Sequence, residues 1–259
     1  MFDLSALQAE LAHTIFADKL HFAPVTDSTN SDALGAARTG APHGSVWFAD
    51  EQLAGRGRGG NAWKSAAGQG LYVSTLLRLA IPTDRLLLLP LAAGLAAGDA
   101  VRGVSGVDID LRWPNDLLVG ERKTGGILVE AGSEKGAGFA VVGIGINVHQ
   151  RVFESGLATP ATSLDLAAGG TISRQALLVA LLKALEHETN ALSNSATARA
   201  IPERVEAASN WVRGRAVQVH GPQACTGITA GLDEHGFLLV ETAIGCVTVQ
   251  TGGIRSRPD

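Results

Sequence analysis

Cysteine is scarce in this chain: Cys225 and Cys246 are the only two in 259 residues. Two thiols supply neither a disulfide framework nor a paired metal-ligand pattern. Positive charge is not in excess. Lys plus Arg is 21 against 25 Asp plus Glu, a net of −4, which argues against a non-specific nucleic-acid binder. No apolar run reaches the roughly 18 residues of a membrane span. The longest, residues 86–97, is broken by Pro90 and Gly94. The opening MFDLSALQAE has no basic stretch ahead of its apolar positions, so it is not expected to be a signal peptide. What is present is apolar material: 46% hydrophobic against 18% charged residues, enough for a buried core and inconsistent with disorder. A globular protein of the cytoplasm is expected, with one large or two smaller domains.

Strand-like apolar clusters fall at 20–25, 45–49, 71–77, 107–112, 126–130 and 139–146. Helical patterns lie between them. One follows Ser28-Thr29-Asn30, whose short polar side chains can cap it, and runs to Arg38. A second spans about 84–102, with Pro90 predicting a late start or a kink. The third is capped by Ser173 and places Leu178, Leu181, Leu182 and Leu185 on one face. After Trp211 the texture becomes short β-rich runs between turns, predicting a small β module. Residues 196–210 are expected as the connection. The division is therefore 1–208, a main domain with strands and helices mixed, and 209–259, a small all-β domain.

Three segments carry chemistry. Residues 55–60 read GRGRGG. They match G-x-G-x-x-G formally, yet open no helix, so a dinucleotide fold is a poor reading. The stretch also suits a mobile surface loop, or one in which glycines admit an anion and Arg56 and Arg58 neutralise it. Next, RWPNDLLVGERKTGGILVE (112–130) reads as a strand, a Pro-Asn-Asp corner, a turn at Gly120-Glu121 and another strand. Lys123, one of few lysines, either snorkels to solvent or enters a pocket left open by Gly125 and Gly126. Last, VVGIGINV (141–148) is a buried-looking strand with alternating glycines. The histidines show no i, i+4 pairing that would suggest zinc, and Trp211 reads as an interdomain packing residue.

Taken in order, Ser28-Thr29-Asn30, Gln52 with GRGRGG and Trp63, RWPNDLL, RKTGGILVE and GIGIN resemble biotin protein ligase over about residues 20–150. The closing Gly252-Gly253-Ile254-Arg255 is similar to that family's ending. The resemblance implies an α+β fold. Its catalytic domain has a mixed sheet with flanking helices and is class II aminoacyl-tRNA-synthetase-like, followed by a small C-terminal SH3-like β-barrel. It implies ATP-dependent activation of biotin to biotinyl-5′-AMP, then transfer to a lysine of a biotin carboxyl carrier protein, with ATP, biotin and Mg²⁺ as small molecules. Such chemistry brings two anions together and needs cations rather than a protein nucleophile.

By the same resemblance, Ser28, Thr29, Asn30, Gln52, Arg56, Gly57, Arg58, Lys123, Gly125 and Gly126 are expected to bind biotin. Arg56, Arg58, Trp63, Asn115, Lys123 and Asn147 are expected at ATP or the adenylate. Lys123, Arg58 and Asp116 are expected to be catalytic, Asp116 binding Mg²⁺ or drawing a proton from the acceptor lysine. Gly59 and Asn61 stand where two further arginines are usual, which predicts a more mobile loop without ligand. About 27 residues precede the Ser-Thr-Asn motif, fewer than a winged helix-turn-helix needs, so an enzyme-only form without DNA binding is expected, as monomer or homodimer. The alternatives are a lipoate-type ligase of shared fold and a non-catalytic biotin-binding protein. Retention of both Arg58 and Lys123 speaks against the second.

Overall fold

The computed structural model describes residues 2–134 and 137–257. Seven strands form the larger sheet: β1 (Leu20–Thr26), β2 (Val46–Gln52), β3 (Gly70–Leu77), β4 (Asp110–Arg112), β5 (Asp116–Val119), β6 (Arg122–Glu134) and β7 (Ala137–Asn147). Their spatial order is β1-β2-β3-β7-β6-β5-β4. β1 and β2 pair in parallel, and the other neighbours pair antiparallel. The parallel pair is joined by a helix, as a parallel connection requires. Helices are α1 (Leu4–Glu10), α2 (Thr29–Arg38), α3 (Thr83–Leu86), α4 (Leu89–Ser105), α5 (Leu164–Ala168), α6 (Arg174–Ser193), α7 (Ser195–Arg199) and α8 (Ile201–Ala207).

The core sits where β3, buried at every position, meets α4 and α6. The helical pattern at 84–102 is split in two. Pro90 lies in the first turn of α4, where its missing N–H leaves no ladder bond unmade. Small residues on α4 let it close on the sheet, and a Cβ at Gly94 would stand only 3.4 Å from Leu111. α6 starts as expected: Ser173 Oγ accepts from Ala176 N–H at 3.2 Å. Leu178, Leu181, Leu182 and Leu185 are fully buried, each contributing about 1.5–3 kcal/mol of burial. Ser28 is the N-cap of α2 but makes no side-chain cap bond.

The second sheet contains β8 (Arg213–His220), β9 (Cys225–Leu232), β10 (Leu238–Thr242), β11 (Gly245–Val249) and β12 (Gly253–Ser256), all antiparallel, in the order β11-β10-β9-β8-β12. Cys225 and Cys246 lie on strands separated by β10 and both are free thiols. The connection at 196–210 carries most of α7 and all of α8. Arg204 on α8 forks onto the buried Glu188 of α6 at 2.6 and 2.8 Å. One apolar cluster runs from α4 and α6 through Trp211 into Val217, Leu238 and Val240. Trp113 Nε1 donates to Gly236 O at 3.0 Å, which seats the second sheet against the corner between β4 and β5. Among the described residues, no helix is long and apolar enough to cross a membrane.

Candidate active site

The turn after β1 delivers Ser28, Thr29 and Asn30 to the start of α2, buried against the sheet. Thr29 donates from N and Oγ1 to Gln52 Oε1 at 2.9 and 3.1 Å, and its hydroxyl lies 2.8 Å from Ser74 Oγ. Ser74 donates to Asn30 Oδ1 at 2.6 Å, and Asn30 Nδ2 donates to Glu130 Oε2 at 2.9 Å. The alternating glycines of β7 explain themselves here. A Cβ at Gly143 would fall 2.0 Å from Asn30 Oδ1, and one at Gly145 would fall 2.6 Å from Trp63 Nε1. The strand is bare so that two site side chains can lie on it.

The GRGRGG segment forms a hairpin. Gln52 and Ser65 pair at its base, Trp63 N donates to Gly55 O at 2.8 Å, and Gly57 N donates to Asn61 O at 2.7 Å. Arg58–Gly60 turn at the tip, with Gly59 and Gly60 left-handed (φ 67° and 81°). The GRGRGG segment is thus a hydrogen-bonded hairpin with a turn at its tip. Arg56 pairs with Glu130. Arg58 donates to the Gly252 carbonyl and, at 3.0 Å, to Thr251 Oγ1. Burial pushes the Arg58 guanidinium below its ordinary value, with the Asp116 charge opposing.

Lys123 enters from β6. Its backbone is pinned by Pro160 O at 2.8 Å and Thr162 N at 3.0 Å. Its ammonium lies 2.5 Å from Asp116 Oδ1 and 5.5 Å from the centre of the Trp63 ring. Asp116 Oδ2 accepts from Arg112 at 2.6 and 3.1 Å. Burial raises the Asp116 carboxyl, but Lys123 and Arg112 together outweigh it and hold it below the usual carboxylate range. Arg112 in turn stacks on Trp211, 5.0 Å from the ring centre, and Arg215 stacks on the same indole at 3.7 Å. Trp211 is therefore a packing residue and also a cation platform.

These groups surround one cleft of about 460 Å³ including its open mouth. Ser28, Thr29, Asn30, Gln52, Arg56, Gly57, Arg58, Trp63, Asn115, Lys123 and Gly126 all line it. Three expected site residues do not. Gly125 faces the other way, where a Cβ would meet Leu117 and the Gly145 carbonyl. Asn147 is buried on Thr162 O at 3.1 Å and Gln150 Nε2 at 3.3 Å. Asp116 stands behind Lys123. Asn115 spends its amide on Ile127 O at 2.8 Å. Magnesium, expected at Asp116, does not fit that position: both carboxylate oxygens are taken by cations, whereas a hard divalent ion needs several free oxygens. Among the described residues no group of three or more His, Cys, Asp or Glu could hold a metal. Residues not anticipated from sequence are Ser74, Tyr72, whose phenol burial pushes above its ordinary value, and Glu130.

Comparison with known proteins agrees with this geometry. Residues 22–147 match the model of the biotin/lipoate A/B protein ligase family. The chain is 32% identical to the bifunctional ligase/repressor BirA of Bacillus subtilis, over 96% of this chain and 78% of that protein. It is 34% identical to the biotin–[acetyl-CoA-carboxylase] ligase of Mycobacterium tuberculosis, over 88% and 85%. The structure of a biotin protein ligase from Aquifex aeolicus in complex with biotin and ATP superposes with a TM-score of 0.79 at 29% identity, covering 93% of this chain and all of that one. Matched over most of its own length and most of theirs, the chain belongs to the biotin protein ligase family.

Proposed function

We propose that this protein joins biotin to a biotin carboxyl carrier protein in two ATP-driven steps. A biotin carboxylate oxygen attacks the α-phosphorus of ATP, the bond to the bridging oxygen breaks, and pyrophosphate leaves with the electron pair. The amine of the carrier's lysine then attacks the acyl carbon of biotinyl-5′-AMP, loses a proton, and AMP departs. The observation that carries this reading is a single cleft with a hydrogen-bonding cluster at one end and three cations beside it.

Ser28, Thr29, Asn30 and Gln52 offer donors and acceptors in fixed orientation for a polar ring substituent, and Gly126 leaves room for a flat bicycle against the backbone. Lys123, Arg56 and Arg58 lie where carboxylate and phosphate oxygens would meet, cancelling their repulsion and stabilising the charge that develops. Gly57 lets the hairpin backbone approach the ligand, and Trp63 with Asn115 borders the nucleotide side. Asp116 acts as a positioning residue. Doubly ion-paired and held ionised, it is a weak proton acceptor, and its work is to aim the Lys123 ammonium. Residues 1–208 would form the catalytic domain and 209–259 the small β domain. Two free thiols and dependence on ATP suit the cytoplasm.

Biotin-dependent ATP–pyrophosphate exchange tests the reading, with lipoate and no acid as parallel arms. Exchange with biotin alone is expected. Exchange with lipoate instead would move the protein to a lipoate-type activity. No exchange with either acid, despite biotin binding, would leave a binding protein.

A further inference from the structure

We propose that Thr251 and the Gly252 carbonyl are the positioning groups for Arg58, so that the C-terminal sheet completes the anion-handling side of the cleft. The inference rests on the function proposed above, in which Arg58 meets the carboxylate and phosphate oxygens. Arg58 sits at the tip of its hairpin, beside Gly59 and Gly60 in left-handed conformation. Within that hairpin, the tip's backbone is braced by Asn61 Nδ2 on Arg58 O at 2.8 Å. The guanidinium itself is held by Thr251 and Gly252, 193 and 194 residues further along the chain.

The receiving segment is held by its own hydrogen bonds. Gln223 Oε1 accepts from Gln250 N at 2.8 Å and Thr251 N at 3.4 Å, while its amide donates to Thr248 O at 2.8 Å. Gly252 adopts φ 128°, and a Cβ there would fall 2.1 Å from His220 O. Only glycine fits, and its carbonyl direction is fixed. The next residue, Gly253, opens β12 against β8. Two donors of Arg58 are thus tied from the rear to a fixed ledge, and its remaining donors are left for the cleft that it lines. A side chain reaching from a glycine-flanked tip would otherwise sample many rotamers, and orientation lost there is rate lost in the reaction.

The experiment compares wild type, Thr251→Val, Thr251→Ser, Arg58→Lys and the Arg58→Lys/Thr251→Val double variant in biotin-dependent ATP–pyrophosphate exchange. Valine keeps the volume of threonine and removes its acceptor. Thr251→Val is expected to lower kcat about tenfold, with the biotin KM within about twofold and an unchanged Tm. Thr251→Ser restores most of the rate. In the Arg58→Lys background the valine change costs less than about threefold, because the two residues act as a unit. A Thr251→Val enzyme as fast as wild type, or equal losses in both backgrounds, would overturn the inference while the function stands. A wild-type protein without exchange would remove the function and this inference together.

Discussion

Replacing Asp116 by asparagine separates three roles for one carboxylate. In the folded chain Asp116 accepts from Lys123 at 2.5 Å and from Arg112 at 2.6 Å, with Arg112 only 8% and Asp116 17% exposed. Removing the charge leaves two cations facing a neutral amide with one of them buried. Breaking a buried pair costs about 3–5 kcal/mol. Because Lys123 is 27% exposed and can turn to water, the lower end applies, about 3 kcal/mol. For a chain of this size that corresponds to a Tm lower by roughly 6–12 °C at neutral pH.

The pH dependence follows from the depressed carboxyl. Its folded pKa lies below the unfolded value of about 3.9. The ionised form therefore stabilises the fold fully above that unfolded value, and this contribution fades as pH falls through the folded pKa. Wild type and Asp116→Asn should differ most at neutral pH and converge in acid, as read by urea unfolding across pH 3–7. Exchange activity should fall with Lys123 misaimed, and raising magnesium should not restore it. Equal stability at pH 7, or activity regained at high magnesium, would refute the positioning argument.

Further outcomes follow from other contacts. Gly143→Ala should weaken biotin binding more than about tenfold by calorimetry, because the new methyl displaces Asn30 from Glu130 and Ser74. Secondary structure by circular dichroism should stay intact, since the φ of Gly143 suits alanine. Arg204→Met should strand the buried Glu188 and lower thermal stability by about 3 kcal/mol, with exchange per folded molecule unchanged. Lys123→Met should cut adenylation by about 10²–10³ and also weaken biotin binding, because the same ammonium meets the ground-state carboxylate. Hydrogen exchange across residues 53–66 should slow when biotin and ATP are added together. No change there would count against loop closure.

Much of the fold was legible because its signals are local. The leucine face of α6, the cap at Ser173 and the position of Pro90 all depend on neighbours within a turn or two, and all fall where expected. The strand alternation of β6 also bears on its two glycines. Adjacent strand residues face opposite sides, so Gly125 and Gly126 could not both meet a ligand, and the structure turns Gly126 to the cleft and Gly125 to Leu117. Ser74, Glu130 and Thr251 left no signal of their own. Each reaches the site across dozens or hundreds of residues, and a serine in a buried strand looks like any other until the sheet order brings it beside Asn30.

The cleft's three cations differ in what balances them before any ligand arrives. Arg56 is paired with Glu130 and Lys123 with Asp116, two carboxylates. The hydrogen-bond partners of Arg58 are a hydroxyl and a carbonyl, both neutral. A neutral acceptor fixes direction without cancelling charge, so Arg58 retains the larger field toward an incoming anion, tempered by Asp116 at longer range. In the reaction proposed, Arg56 and Lys123 would instead share or exchange a carboxylate when biotin and the α-phosphate bind. That division suits the reaction proposed. A cation already half-satisfied grips a ground-state carboxylate moderately, while one with unspent charge acts most strongly on the negative charge that builds as the phosphorus is attacked. On this argument Arg58→Lys, which keeps the charge but loses the two-pronged anchorage, should reduce kcat far more than it raises the biotin KM. Substitutions at Arg56 should do the reverse.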